Sequence, residues 1–105
     1  MSGIFGQLAP ASSVWTDLYT CPAGTVSVLR VIVSNRGAAA TSFRVAVSEN
    51  GDAIANLHHI ASDKAIAGND TGSTVSFVVS ATDIVRVWAG NTSLSFTATG
   101  ESRAA

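Results

Sequence analysis

The sequence predicts an all-β domain: an antiparallel β-sandwich, jelly-roll-like or immunoglobulin-like, with about seven or eight strands. Apolar and polar residues alternate with a period of two in several short segments, which is typical of strands with one buried face. Gly, Pro, Asn and Asp separate these segments at short intervals, as turns do. The chain has 105 residues, the size of one domain with one core.

The strands are predicted from one turn signal to the next. Residues 1–13 form an apolar N-terminal arm, and residues 14–105 form a single sandwich domain. The strongest segment, residues 26–35, is rich in β-branched residues and contains neither Gly nor Pro. Asn50-Gly51 indicates a hairpin, because both residues accept the positive φ of a tight turn. The predicted strand segments are 14–21, 26–35, 42–48, 74–79, 83–89 and 93–99.

Residues 53–72 show the least regular pattern. Their apolar residues fit a short strand followed by an extended crossing segment. A helical turn around residues 53–61 is the alternative, although its capping residues are weak. Residues 64–72 have the composition of a loop, with glycine, asparagine and aspartate at the end.

The scarcity of charge is the most informative feature of the composition. Charged residues make up 12% of the chain, about half the usual share. Serine, threonine and alanine replace them, and these residues are covered at little cost in solvation and side-chain entropy. The centres of protein interfaces are depleted in Lys, Glu and Asp. The composition therefore indicates a surface that other protein covers, with a small, rigid, Ser/Thr-coated β-protein as the alternative.

The predicted strands at 26–33 and 84–88 carry apolar residues on both faces. A sandwich should instead present polar residues to water on its outer faces. If the two strands are neighbours, their outer residues form one apolar patch flanked by arginines, as at protein contacts. The alternative is that residues 53–72 cover this patch. We also expect the N-terminal arm to extend onto a neighbouring subunit. The candidate interface residues are Val28, Arg30, Ile32, Ile84, Arg86 and Trp88 in the strands and Ile4, Phe5 and Leu8 in the arm.

Candidates for catalysis or metal binding are few. His58 and His59 are adjacent, so on a strand they point to opposite faces and do not chelate one metal. Cys21 is the single cysteine, which indicates a buried apolar role. The chain contains no nucleophile elbow, phosphate-binding loop or dinucleotide motif. We therefore predict a protein that is not an enzyme and has no catalytic, cofactor-binding or metal-binding residues.

Charge and hydropathy argue against two further classes of partner. The net charge is −1 and the six basic residues are scattered, so we expect no nucleic-acid binding. No stretch approaches the roughly 20 apolar residues of a membrane helix, so we expect no membrane partner. The N-terminus lacks the pattern of a signal peptide, which predicts synthesis in the cytoplasm. Stacking of a tryptophan on a sugar ring remains an alternative use of Trp15 or Trp88.

Residues 17–36, with the sequence DLYTCPAGTVSVLRVIVSNR, resemble a pattern in small virion proteins of tailed bacteriophages. In those proteins a Leu-Tyr-Thr-x-Pro-Ala-Gly turn leads into a long Val/Ile strand that ends in Asn. The resemblance extends more loosely through residues 43–48 and 80–83, and covers about half of the chain. Such proteins are β-sandwich structural components, among them capsid decoration (cement) proteins and tail or fibre modules.

The resemblance implies assembly into a virion and transfers no active-site residues. It implies a capsid decoration protein that stabilises the head by bridging capsomers, on the capsid surface and in contact with the major capsid protein or another virion protein. We expect a homo-oligomer, and a homotrimer suits the local threefold axes of an icosahedral shell. A tail, baseplate or fibre module with a structural or adhesive role is the alternative.

Overall fold

The computed structural model describes residues 2–49 and 59–104, and within them it contains nine strands. The prediction of an all-β antiparallel sandwich is confirmed. The described part of the chain contains no α-helix, and it has one or two strands more than the sequence predicts. The strands are β1 (Ser2–Leu8), β2 (Thr16–Thr20), β3 (Thr25–Asn35), β4 (Thr41–Ser48), β5 (His59–Ile66), β6 (Thr71–Ser73), β7 (Phe77–Ser80), β8 (Ile84–Ala89) and β9 (Leu94–Ala104).

The strands form two sheets. In sheet A the order is β1-β9-β3, and β6 and β7 share the far side of β3. In sheet B the order is β2-β8-β4-β5. All strand pairs are antiparallel, and the chain changes sheet at every connection except β4 to β5 and β6 to β7. Pairing is therefore mostly between strands that are distant in sequence.

The core lies between the two sheets and follows the period-two alternation of the strands. On β3 the inward residues Leu29, Val31 and Val33 are fully buried, and their neighbours on the same strand point outward. Phe43 of sheet B meets Phe96 of sheet A edge to face, with ring centroids 6.3 Å apart. These two rings join the sheets near the middle of the core, in an arrangement that aromatic pairs prefer.

The N-terminal segment differs from the predicted arm. Residues 2–8 form β1, which pairs with β9 and is the edge strand of sheet A, so they belong to the sandwich. A side chain at Gly6 would collide with the main-chain carbonyl of Leu18, so this glycine lets β1 approach β2 of the other sheet. Phe5 stacks on Tyr19 at 5.4 Å, which fixes the edges of the two sheets together.

The middle of the chain contains more strand than its composition indicates. The predicted loop at residues 64–72 is wrong at both ends, because β5 extends to Ile66 and β6 begins at Thr71. The predicted strand at 74–79 begins only at Phe77. Between β6 and β7, Thr74 donates its N–H to the carbonyl of Val31 and accepts the N–H of Val31 with its hydroxyl. This side chain therefore replaces a rung of the ladder and interrupts the strand.

Some predictions lie outside the described residues. These are the Asn50-Gly51 hairpin, the first part of the region 53–72 and the position of His58. Of the alternative helical turn at 53–61, the part from His59 onward lies in β5 and is a strand.

Candidate interaction surface

The outer face of sheet A carries a group of exposed valines. Val28 on β3 is 46% exposed and Val78 on β7 is 62% exposed, and the two are directly opposite each other in the ladder. Val26 is half-buried two residues away on the same side of β3. Glu101 and Arg103 of β9 complete the same two rungs, opposite Val28 and Val26. We call Val26, Val28, Val78, Glu101 and Arg103 the valine face.

The valine face follows from strand geometry. Leu29 and Ser27 of β3 are buried, so Val26 and Val28 must point away from the core. On β7, Val79 is fully buried, which turns Val78 outward. The resulting surface is concave: a cleft of about 160 Å³ is lined by Val26, Val28, Val78, Glu101, Ser102 and Arg103. A more open depression of about 460 Å³ adjoins it beside Arg30 and Thr99.

The charged groups on and beside the valine face lack partners in the described part of the chain. Among residues 2–49 and 59–104, Arg30, Glu101 and Arg103 make no ion pair and no side-chain hydrogen bond. All three are exposed. An apolar patch bordered by charges of both signs is the composition of a protein-contact surface.

The outer face of sheet B is different, because its charges are paired within the chain. Arg86 donates from Nε to the carboxylate of Asp17 at 3.0 Å and from Nη1 to the hydroxyl of Ser48 at 3.5 Å. Arg44 donates from Nε to the carboxylate of Asp63 at 2.6 Å. Its guanidinium also lies 4.0 Å from the ring centroid of Trp88, in a cation–π contact. The two arginines of this face are therefore paired before any partner binds.

The structure does not bring the predicted patch together. The patch required β3 and β8 to be neighbours, but β3 is in sheet A and β8 is in sheet B. Val28 and Arg30 are exposed and Ile32 is half-buried on the outer face of sheet A. The other three residues, Ile84, Arg86 and Trp88, are half-buried on strand β8 of sheet B. The single patch is thus wrong, and only its β3 half lies on the valine face or beside it.

The three candidates in the N-terminal segment also separate. Ile4 is 61% exposed and lies opposite Thr99, on the outer face of sheet A. Phe5 and Leu8 are partly buried against the core. A register shift between Ile4 and Gly6 produces this change of side. Within the described chain, Phe5 and Leu8 are therefore packing residues, and Ile4 remains a candidate for contact with a partner.

Four members of the valine face, Val26, Val78, Glu101 and Arg103, are not among the interface residues predicted from the sequence. Val78 belongs to a Val-Val pair in a four-residue strand, where one of two adjacent residues must face outward. Glu101 and Arg103 lie beyond the predicted end of the last strand, in a segment without β-branched residues. The length of β3 was the one signal that the last strand continues beyond Thr99. An eleven-residue strand needs a partner of similar length, and β9 is that partner.

The described residues offer no constellation for metal chemistry. Among them, no three His, Cys, Asp or Glu side chains cluster as a metal site would require. Cys21 is a buried free thiol near the hydroxyls of Thr25 and Ser27, at 3.4 and 3.8 Å. His59 lies at the start of β5. Nothing in residues 2–49 and 59–104 forms a helix long and apolar enough to span a membrane.

No protein-family model, no curated protein and no solved structure matches the chain. The valine face and the residue pattern of the sequence are therefore the features that bear on function.

Proposed function

We propose that this protein is a structural component of a tailed-bacteriophage particle and acts as a capsid decoration (cement) protein. It works by burying surface against other protein subunits and thereby bridging capsomers. The valine face is the observation that carries this proposal: an apolar surface with unpaired charges, outside the core, with no role in holding the two sheets together. The pattern in residues 17–36 supports a virion protein in particular.

The mechanism requires no chemistry beyond association. Covering an apolar surface releases the water on it, which is favourable by about 25 cal/mol of free energy per Å² of apolar surface buried. A subunit that contacts two capsomers adds this free energy to the contacts that must break when the shell opens. The low charge content of the chain reduces the desolvation cost of covering it.

A glycan-binding fibre module is the other candidate from the sequence, and it depends on a free tryptophan ring. In the structure, one face of the Trp88 ring is covered by the guanidinium of Arg44. This contact argues against Trp88 as a stacking platform. The location of the protein in the particle separates the two functions.

The test uses shells that lack the protein, prepared from the phage that encodes it. We expect added wild-type protein to co-sediment with these shells and to raise the temperature at which they rupture. The variant Val78→Asp places a charge on the valine face and should lose most of both effects. Val14→Asp is the matched control, because Val14 is also an exposed valine (52%) and lies outside the valine face.

Two outcomes would contradict the proposal. If the protein sediments with tails and never with shells, it is a tail or fibre module. If it binds neither, or if Val78→Asp and Val14→Asp bind shells equally well, the valine face does not carry the function proposed for it.

A further inference from the structure

We propose that the partner that covers the valine face is a second copy of this chain, in a face-to-face pair related by a two-fold axis. The inference names a partner within the proposed function and rests on it for its place in a particle. The contact itself concerns the purified protein alone.

Two outward-facing rungs of sheet A carry the argument, and the rung of Ser27, which faces the core, lies between them. One rung consists of Val78, Val28 and Glu101, on β7, β3 and β9 in that order. The other, two residues along each strand, consists of Ser80, Val26 and Arg103 on the same three strands. Each rung therefore has a β7 residue, a central valine and a charge, and the two charges are opposite in sign.

Consider a two-fold axis that runs parallel to sheet A and perpendicular to its strands, above Ser27 and midway between the two rungs. This axis exchanges the two rungs. It places Val28 over Val26 of the second copy, and Glu101 over Arg103 of the second copy. On β7 it places the larger Val78 over the smaller Ser80. Every column is thus complementary: acid faces base, valine faces valine, and a large residue faces a small one. Two-fold contacts need this kind of self-complementarity, because the same patch serves both subunits.

The charges support this arrangement over a foreign partner. Glu101 and Arg103 are exposed and make no ion pair with any residue that the structure describes. In the pair, Glu101 of each copy faces Arg103 of the other, so two equivalent ion pairs form across the interface. Like charges would instead meet if the second copy were shifted by two residues along the strands, so the pairing also fixes the register.

The overlap determines how strong the pair is. About five residues on each of β3 and β9 and four on β7 overlap, at roughly 3.3 Å per residue and 4.8 Å per strand, which gives on the order of 200 Å² per copy. This is less than half of the roughly 800 Å² per partner in a standard interface. We therefore expect a concentration-dependent dimer with a Kd on the order of 100 µM. On a particle, each copy attaches to its own capsomer and the pair joins the two, so a change on the valine face such as Val78→Asp weakens shell binding by removing the second attachment.

The experiment is sedimentation equilibrium from about 10 µM to 1 mM, a range that spans the expected Kd. The wild type should shift from monomer to dimer. The charge reversals Glu101→Arg and Arg103→Glu each place like charges together and should weaken the dimer at least about tenfold. Far-UV circular dichroism and urea unfolding of both variants confirm that they remain folded.

The decisive measurement is the mixture of the two variants. In an equimolar mixture, one copy carries two arginines and the other two glutamates, so every facing pair is attractive again. We expect the mixture, and also the double variant E101R/R103E, to recover the dimer to within about threefold of the wild type. Val14→Asp should leave the dimer unchanged.

A wild-type protein that stays monomeric to 1 mM, or that forms a trimer, overturns the inference. So does a dimer that ignores both charge reversals, or a mixture that fails to recover. A monomer that still binds shells through Val78 would overturn the two-fold pair and leave the decoration function standing. A dimer that binds no particle would overturn the decoration function and leave the two-fold pair standing.

Discussion

Val28 and Val31 lie three residues apart on β3 and point to opposite faces of sheet A. The same substitution, valine to threonine, should therefore have very different effects at the two positions. Threonine keeps the β-branched shape and the strand propensity of valine, so only the polarity of one group changes. The comparison tests whether the valine face contributes to folding or is available for other roles.

The expected magnitudes follow from burial. Val31 is fully buried, and a hydroxyl there loses its water without gaining a partner, at about 1–3 kcal/mol. The lost methyl burial adds about 1 kcal/mol. Val31→Thr should therefore lower the free energy of unfolding by about 2–4 kcal/mol. Val28 is 46% exposed, so a hydroxyl there stays in water and Val28→Thr should cost less than about 0.5 kcal/mol.

Urea unfolding followed by far-UV circular dichroism measures both values, at a low micromolar concentration where the proposed dimer is dissociated. Domains of this size are stable by about 5–15 kcal/mol, so both variants should remain folded in water. Val31→Thr should also lower Tm by about 10 °C or more. If both variants lose the same stability, the two faces of β3 are equally buried, and the reasoning about the valine face is refuted.

Two further predictions concern side chains that complete the backbone network. Asn35 is buried; its amide donates to the carbonyls of Ala39 and Ala67, and its Oδ1 accepts from Gly37 and Ser93. Asn35→Ala should lower the urea-unfolding free energy by about 2–4 kcal/mol, and a loss below about 1 kcal/mol would show that these bonds are dispensable. Thr74→Val removes the acceptor for the N–H of Val31 and should cost about 1–3 kcal/mol in the same assay, whereas Thr74→Ser should retain most of the stability.

The sequence predicts strands well where local patterning and packing agree. Residues 26–35 were predicted as a strand and are observed as Thr25–Asn35, because β-branched residues alternate between a fully buried and a more exposed side. Residues 42–48 match Thr41–Ser48, where burial alternates as far as Val45, although Ala46 and Ser48 on the other side are also buried. In both strands the alternation states which residues point inward, and the core confirms it at Leu29, Phe43 and Val45.

Neighbour relations were not predictable in the same way. Alternation assigns a face to each residue, but it does not say which strand lies beside it. The partners of β3 are β9 on one side and β6 and β7 on the other, all far along the chain. The prediction of a single patch on β3 and β8 was wrong for this reason. Its two halves each face outward, on opposite sides of the sandwich.

The two ends of the chain show where local pattern gives way to tertiary structure. In β1, a register shift near Phe5 breaks the alternation, so the segment does not look like a strand. In β9, residues beyond Thr99 have weak strand propensity, and pairing with the long β3 extends them to Ala104. Gly100 permits this extension, because a side chain there would collide with the carbonyl of Val28. The charges of the valine face thus depend on a pairing that no local signal announces.

The edges of both sheets favour association through a face over addition of a strand. A regular edge strand would offer unpaired N–H and carbonyl groups to another chain. Here β1 and β2 each contain a register shift, and β5 contains Asp63 with φ at 47°. The remaining edge is divided between the short strands β6 and β7. The outer face of sheet B has its arginines paired within the chain. The valine face is therefore the surface on which binding of a partner gives the largest gain in free energy.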